Sequence, residues 1–209
     1  MTYKENYDAL KTQYSDSSSL MYKKLRIVDS YINEGNNILD IGIGVGELID
    51  LEKTKFKYLN GFDVDPESVD FCNKRFRIYD HIKIQLGDLY DLEKLIKGIK
   101  FDCVTCLDVL EHVNEDICLK TMKSIYKFLN EDGMFIFTGP GMFEKVMIKL
   151  GRSPHIHSHS SYGWERMLKK SNFKIVSVES VEFPLFNKNQ FMRKNFHIFG
   201  KCCLIVCKK

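Results

Sequence analysis

The sequence predicts an α/β protein built on a doubly wound, mostly parallel sheet with helices on both faces. Three observations point there. The run Ile38-Leu39-Asp40-Ile41-Gly42-Ile43-Gly44-Val45-Gly46-Glu47 passes from apolar residues through an acid into glycine at every second position. Two later strand-like segments, Lys57-Tyr58-Leu59-Asn60-Gly61-Phe62-Asp63 and Ile82-Lys83-Ile84-Gln85-Leu86-Gly87-Asp88, also close on an acid. Helical patterns separate these segments, which is the alternation that parallel strands require for their crossovers.

The elements follow in order. A polar break at 15–19 precedes a helix over 19–32 that packs on the sheet before the first strand. The apolar residues Ile38 and Leu39 open a buried parallel strand. The glycines after it read as a sharp turn where bare backbone approaches a ligand, leading into a helix with free N–H groups at its start. Asp65-Pro66 opens the next helix, with Asp65 as N-cap and Pro66 in the first helical position. Strands four and five are expected over 101–108 and 133–140. An amphipathic helix over 142–150, closed by Gly151, comes next. A helix over 161–170 carries Trp164 and Leu168, and strands over 173–179 and 201–207 pair with each other.

The glycine turn does not fit a dinucleotide. The last small residue of that fingerprint would fall on Glu47 or Ile49, and neither is small enough for close helix–strand packing. Asp40 and Glu47 suit an ammonium or sulfonium better than a pyrophosphate. Asp63 stands 21 residues after Gly42, near the offset at which an acid accepts from ribose hydroxyls.

On Leu39-Asp40-Ile41-Gly42-Ile43-Gly44-Val45-Gly46, Gly61-Phe62-Asp63-Val64-Asp65-Pro66, Gly87-Asp88-Leu89 and the stretch from Phe101-Asp102 through Leu110-Glu111-His112-Val113, the chain resembles a small, single-domain class I S-adenosylmethionine-dependent methyltransferase. The likeness runs over about 38–178. It implies a Rossmann-like sheet of seven strands with an antiparallel C-terminal strand, and one domain over 1–209. Within it, 1–34 would be a lid or packing segment bearing Tyr3, Tyr7 and Tyr14, and 140–162 and 184–200 would be acceptor-side insertions. The resemblance further implies S-adenosylmethionine as cofactor. Asp40 and the backbone of Gly42, Gly44 and Gly46 would hold its methionine end. Asp63 would take the ribose hydroxyls, Asp88 the adenine amino group with the Leu89 N–H nearby, and Leu107 would touch the cofactor.

Composition sets bounds. The chain has 209 residues, is 44% hydrophobic and carries a formal charge of +3. That is length enough for a full core and too little charge to argue for nucleic acid alone. No apolar run is long enough to span a bilayer, and the first residues lack a secretory apolar core. The seven cysteines are an odd number and fit free thiols in a reducing cytoplasm rather than a disulfide framework. Cys103 and Cys106, three apart on a strand, point to opposite faces and read as small core residues.

Past the fourth strand the chemistry rests on fewer residues. His112, beside Glu111, is the candidate general base, against a packing and capping role at a helix start. Leu110-Glu111-His112-Val113 is similar to a segment of ubiquinone-type O-methyltransferases, which favours oxygen on a small-molecule acceptor. Cys106-Leu107-Asp108-Val109 stands where amino-group methyltransferases carry Asn/Asp-Pro-Pro-aromatic, so nucleic acid is disfavoured. His155-Ile156-His157-Ser158-His159 reads as an acceptor-pocket segment or an exposed loop, with zinc or nickel ligation as the weaker alternative. His155, His157 and Trp164 are the candidate acceptor contacts, and no metal is assigned. The aromatic and cationic mix at 186–197 reads as a lid or packing segment, a peripheral membrane patch formed with 142–150, or a nucleic-acid surface. Two rivals to small-molecule methylation stay open: methylation of RNA or protein, and a regulatory module that binds the cofactor without turnover.

Overall fold

The structure, a computed structural model, describes residues 16, 19–141, 148–151, 155–156, 159–181 and 202–209. The lid tyrosines, most of the helix expected over 142–150, His157 and the aromatic–cationic stretch at 186–197 lie outside the described residues. Among the described residues seven strands form a sheet in the order β3-β2-β1-β4-β5-β7-β6. The chain divides into two compact units, Met1–Asp88 and Leu89–Lys209.

In the first unit, helix α1 (Leu20–Asp29) is capped by Ser19, whose hydroxyl accepts from the Tyr22 N–H at 3.1 Å. Strand β1 (Gly35–Ile41) pairs in parallel with β2 (Phe56–Asp63), and β2 with β3 (Ile82–Leu86). The last four residues of β1 are all buried, as a strand covered on both faces must be. Helix α2 (Glu47–Glu52) follows the glycine turn, and α3 (Pro66–Arg75) follows β2. Asp65 caps α3 as expected, accepting from the N–H groups of Glu67 at 3.2 Å and Ser68 at 3.0 Å, with Pro66 in the first turn.

In the second unit, a 3₁₀ turn (Leu89–Asp91) and the short helix α4 (Leu92–Leu95) lead to β4 (Phe101–Leu107). A second 3₁₀ turn (Leu110–His112) leads to α5 (Glu115–Phe128), which Asn114 caps by accepting from the Ile117 N–H at 3.0 Å. Strand β5 (Leu129–Pro140) pairs in parallel with β4. Helix α6 (Ser161–Lys170) precedes β6 (Lys174–Val181), and β7 (Cys202–Lys208) runs antiparallel between β5 and β6. The antiparallel C-terminal strand is thus where the sequence put it. Strand β5 starts earlier than expected, at Leu129 rather than Gly133. Leu129 registers on Phe101 and Met134 on Cys103, so the extra residues of this register shift lie on β5, among them Asp132 at φ 62°. The core of this unit holds Trp164, Phe101, Phe135, Phe137 and six of the seven residues of β7, Cys202 to Cys207. All seven cysteines are buried and free, Cys103 and Cys106 among them.

Candidate active site

The glycine turn is built by backbone that only glycine adopts readily. Gly42, Gly44 and Gly46 all have positive φ, at 76°, 50° and 78°. The Gly42 and Ile43 N–H groups both donate to the Phe62 carbonyl, at 2.9 and 3.3 Å, and the Gly46 N–H closes the turn on Ile43 at 2.8 Å. A Cβ on Gly46 would meet Phe76 Cε2 at 2.7 Å and Cys72 Sγ at 3.0 Å, whereas a Cβ on Gly44 would meet nothing within 4 Å. Gly46 is therefore glycine for packing, and Gly44 keeps backbone bare toward open space.

Asp63, at the end of β2, fastens this turn. Its Oδ2 accepts from the Gly44 N–H at 2.9 Å and its Oδ1 from the Asp65 N–H at 3.0 Å. A carboxylate oxygen can accept more than one hydrogen bond, so both keep capacity for hydroxyl donors. Asp40 is buried near the end of β1, and Asp88, half-buried, lies just past β3. The Cys72 thiol donates to the Gly44 carbonyl at 3.4 Å. Burial pushes that thiol up to about 12, opposed by Arg75 and assisted by Asp40, Asp63 and Glu47. A single sulfur thus feels three of the carboxylates the sequence singled out, which gathers them around one turn.

Glu47 corrects the expectation placed on it. Arg75 Nη1 donates to Glu47 Oε1 at 2.8 Å and to the Val45 carbonyl at 2.6 Å, and Arg75 Nη2 pairs with Asp50 Oδ2 at 3.1 Å. Its charge is answered from α3 by Arg75. The arginine buttresses the turn from behind, a role that sequence spacing does not reveal.

In the second unit, Leu107 ends β4, and the next residue, Asp108, sits at φ 57°. An aspartate at positive φ carries backbone strain that the surroundings must hold. Thr138 does so: its Oγ1 accepts from the Asp108 N–H and donates to Asp108 Oδ1, both at 2.9 Å. The sequence marked the acid at this strand end but assigned it no role. Glu111 is 2% exposed, and His112 beside it is exposed. The rings of His112 and His155 meet edge to face with centroids 5.0 Å apart. The Ile156 N–H donates to the Glu111 carbonyl at 2.9 Å, so the two segments are pinned together by backbone. Desolvation lowers the His112 pKa, the His155 charge lowers it further, and Asp108 opposes both. The result favours the neutral imidazole that can accept a proton.

Trp164 takes a place different from the acceptor contact expected of it. It is fully buried, packs on Phe137 and His159 with centroids 4.8 Å away in each case, and donates from Nε1 to the Pro140 carbonyl at 3.4 Å. A large aromatic with its one polar atom satisfied is a core residue. Of the three candidate acceptor contacts, His155 stands beside His112, His157 is not described, and Trp164 belongs to the core.

Similarity to known proteins agrees with this geometry. The family model described as a methyltransferase domain matches residues 16–178. O-methyltransferase 7 of Dictyostelium discoideum is 26% identical over 157 residues, covering 71% of this chain and 45% of that protein. The tRNA U34 carboxymethyltransferase of Campylobacter fetus is 27% identical over 195 residues, covering 85% of this chain and 66% of that protein. The chain spans about half to two thirds of the length of these two relatives. Among solved structures, the N-methyltransferase NodS of Bradyrhizobium japonicum, in complex with S-adenosyl-l-homocysteine, superposes with a TM-score of 0.69 at 14% identity, covering 97% of each chain. The chain belongs to the methyltransferase-domain family, with the Rossmann-like, seven-stranded fold of the class I S-adenosylmethionine-dependent methyltransferases.

Proposed function

We propose that the chain transfers the methyl group of S-adenosylmethionine to an oxygen atom of a small-molecule acceptor. The observation that carries the reading is the Asp63 carboxylate fastened to the Gly44 N–H at 2.9 Å, an acid at a strand end beside backbone that faces open space. These residues fit a sulfonium nucleoside with an amino-acid tail. Asp40 and the Gly42, Gly44 and Gly46 backbone hold the methionine end, and Asp63 accepts from the ribose hydroxyls. Asp88 accepts from the adenine amino group, the Leu89 N–H lies nearby, and Leu107 touches the cofactor.

When bound, S-adenosylmethionine supplies a methyl group already activated on a sulfonium. The chain's own contribution is alignment of the acceptor and exclusion of water. His112 takes the proton that an acceptor hydroxyl loses as the new carbon–oxygen bond forms, a task for which a neutral imidazole is suited. The likeness to O-methyltransferase 7 supports oxygen as the acceptor atom. No described helix is long and apolar enough to cross a membrane, which is compatible with the cytoplasmic setting that the free cysteines favour.

The test is transfer of radiolabelled methyl from S-adenosylmethionine into a cell extract separated into small-molecule, lipid, RNA and protein fractions. Label in the small-molecule fraction, released by conditions that cleave methyl ethers or esters, is the expected result. Label confined to RNA would replace the reading with the one that the tRNA-modifying relative supports. Cofactor binding with label in no fraction would make the chain a regulatory module.

A further inference from the structure

We infer that Glu111, His112 and His155 form a binding site for a first-row divalent transition-metal ion. Each offers one ligand atom, a carboxylate oxygen or an imidazole nitrogen, and these atoms all lie within 4.8 Å of one another. Ligand atoms on one tetrahedral ion, with bonds of about 2.1 Å, stand about 3.4 Å apart. A pair at the 4.8 Å limit therefore closes around an ion by about 1.4 Å, which a χ rotation of an exposed imidazole supplies. Exposed His112 is free to make that adjustment, while Glu111 stays fixed by burial.

The scaffold is preorganised for this. Glu111 and His112 are neighbours on one 3₁₀ turn, and the hydrogen bond from the Ile156 N–H to the Glu111 carbonyl locks His155 to that turn, 2.9 Å donor to acceptor. A ligand set whose backbone positions are already joined loses little entropy when the ion arrives. Two imidazoles and a carboxylate select borderline cations such as Zn²⁺, Co²⁺, Mn²⁺ or Fe²⁺ over Ca²⁺ or Mg²⁺, which prefer oxygen alone. Three protein ligands also leave coordination positions open. The histidine run at 155–159 is half of the signal; the other half is the Glu-His pair that ends 43 residues before His155.

A role follows if the proposed O-methylation holds, and only this role rests on it. An open position on the ion would take the acceptor oxygen and lower the pKa of its hydroxyl; with the His112 lone pair on the ion, the ion would stand in for His112 as base and the proton would leave to solvent. Metal binding itself is independent of what the chain methylates.

The experiment uses the full chain stripped with a chelator and dialysed. Zn²⁺ is titrated in by calorimetry, and Co²⁺ is titrated while the visible absorption of its ligand-field bands is followed. One ion per chain, with ligand-field bands characteristic of imidazole and carboxylate donors, is expected. His155→Ala and Glu111→Gln should each weaken Zn²⁺ binding by about 100-fold or more, since loss of even an outer-shell partner costs 10–100-fold. Exposed His112→Asn serves as the variant whose folding is not in question, and circular dichroism monitors the other two. S-adenosylmethionine affinity should stay within about twofold in all three. No binding of either ion at millimolar concentration, or binding in His112→Asn and His155→Ala as tight as in the native chain, overturns the proposal, whatever the outcome of the methyl-transfer assay.

Discussion

Two alanine substitutions in one turn separate the reasons for its glycines. Gly46→Ala places a methyl group 2.7 Å from Phe76 Cε2 and 3.0 Å from Cys72 Sγ, at a residue with φ 78°. The left-handed backbone costs about 1–2 kcal/mol, and forcing extra volume into packed surroundings costs about 1–3 kcal/mol more. The expected loss is about 2–5 kcal/mol. Gly44→Ala carries only the backbone cost, because its Cβ would meet nothing within 4 Å. In a chain of this size each kcal/mol moves Tm by about 2–4 °C. Thermal denaturation followed by circular dichroism should therefore place Gly46→Ala roughly 2–12 °C below Gly44→Ala. The order should reverse for function: the methyl group at Gly44 projects into the open space where the cofactor is proposed to lie, and calorimetry with S-adenosylmethionine should show the larger affinity loss there. Equal Tm values for the two variants would refute the packing argument. Undiminished affinity in Gly44→Ala would remove the turn from the cofactor site.

Two further outcomes follow. Asp63→Ala should weaken S-adenosylmethionine binding by about tenfold or more, because hydrogen bonds to a charged group are worth about 1.5–3 kcal/mol each; calorimetry showing unchanged affinity would exclude Asp63 from the site. Burial pushes Glu52 up from 4.5 to about 7, against the opposing pull of Lys55, whose Nζ lies 3.2 Å from Glu52 Oε2. Between those two pH values the folded chain keeps a proton that the unfolded chain has lost, so stability present at low pH falls as pH rises through about 7, by about 3 kcal/mol at most. Urea midpoints at pH 5 and pH 8 should differ for the native chain and converge for Glu52→Gln; an undiminished difference in the variant would place the titrating group elsewhere.

What the sequence revealed and what it hid follow the range of the interactions. Asp65 capping a helix that starts at Pro66 is decided within three residues, and the structure has it where the sequence did. Strand ends were legible because buried parallel strands must be apolar and must stop where the chain turns polar. The neutralisation of Glu47 was hidden because Arg75 reaches it from 28 residues away across a helix. Trp164 was misplaced for the opposite reason: an aromatic on an amphipathic helix carries the same local pattern whether it lines a cavity or fills the core, and only the packing of Phe137 and His159 decides. Asp108 gave a local hint as an acid at a strand end, yet its positive φ and its clasp by Thr138 appear only once β4 and β5 lie side by side. The meeting of Glu111 and His112 with His155 is likewise a tertiary fact, fixed by one backbone hydrogen bond.

Strand β7 has a consequence for how the second unit comes together. It lies between β5 and β6, although it is the latest of the three to leave the ribosome. Until residues 202–208 are made, β5 shows an unsatisfied edge and β6 has no neighbour to pair with. The sheet of this unit therefore closes only once β7 is available, and until then the β5 edge is open to mispairing.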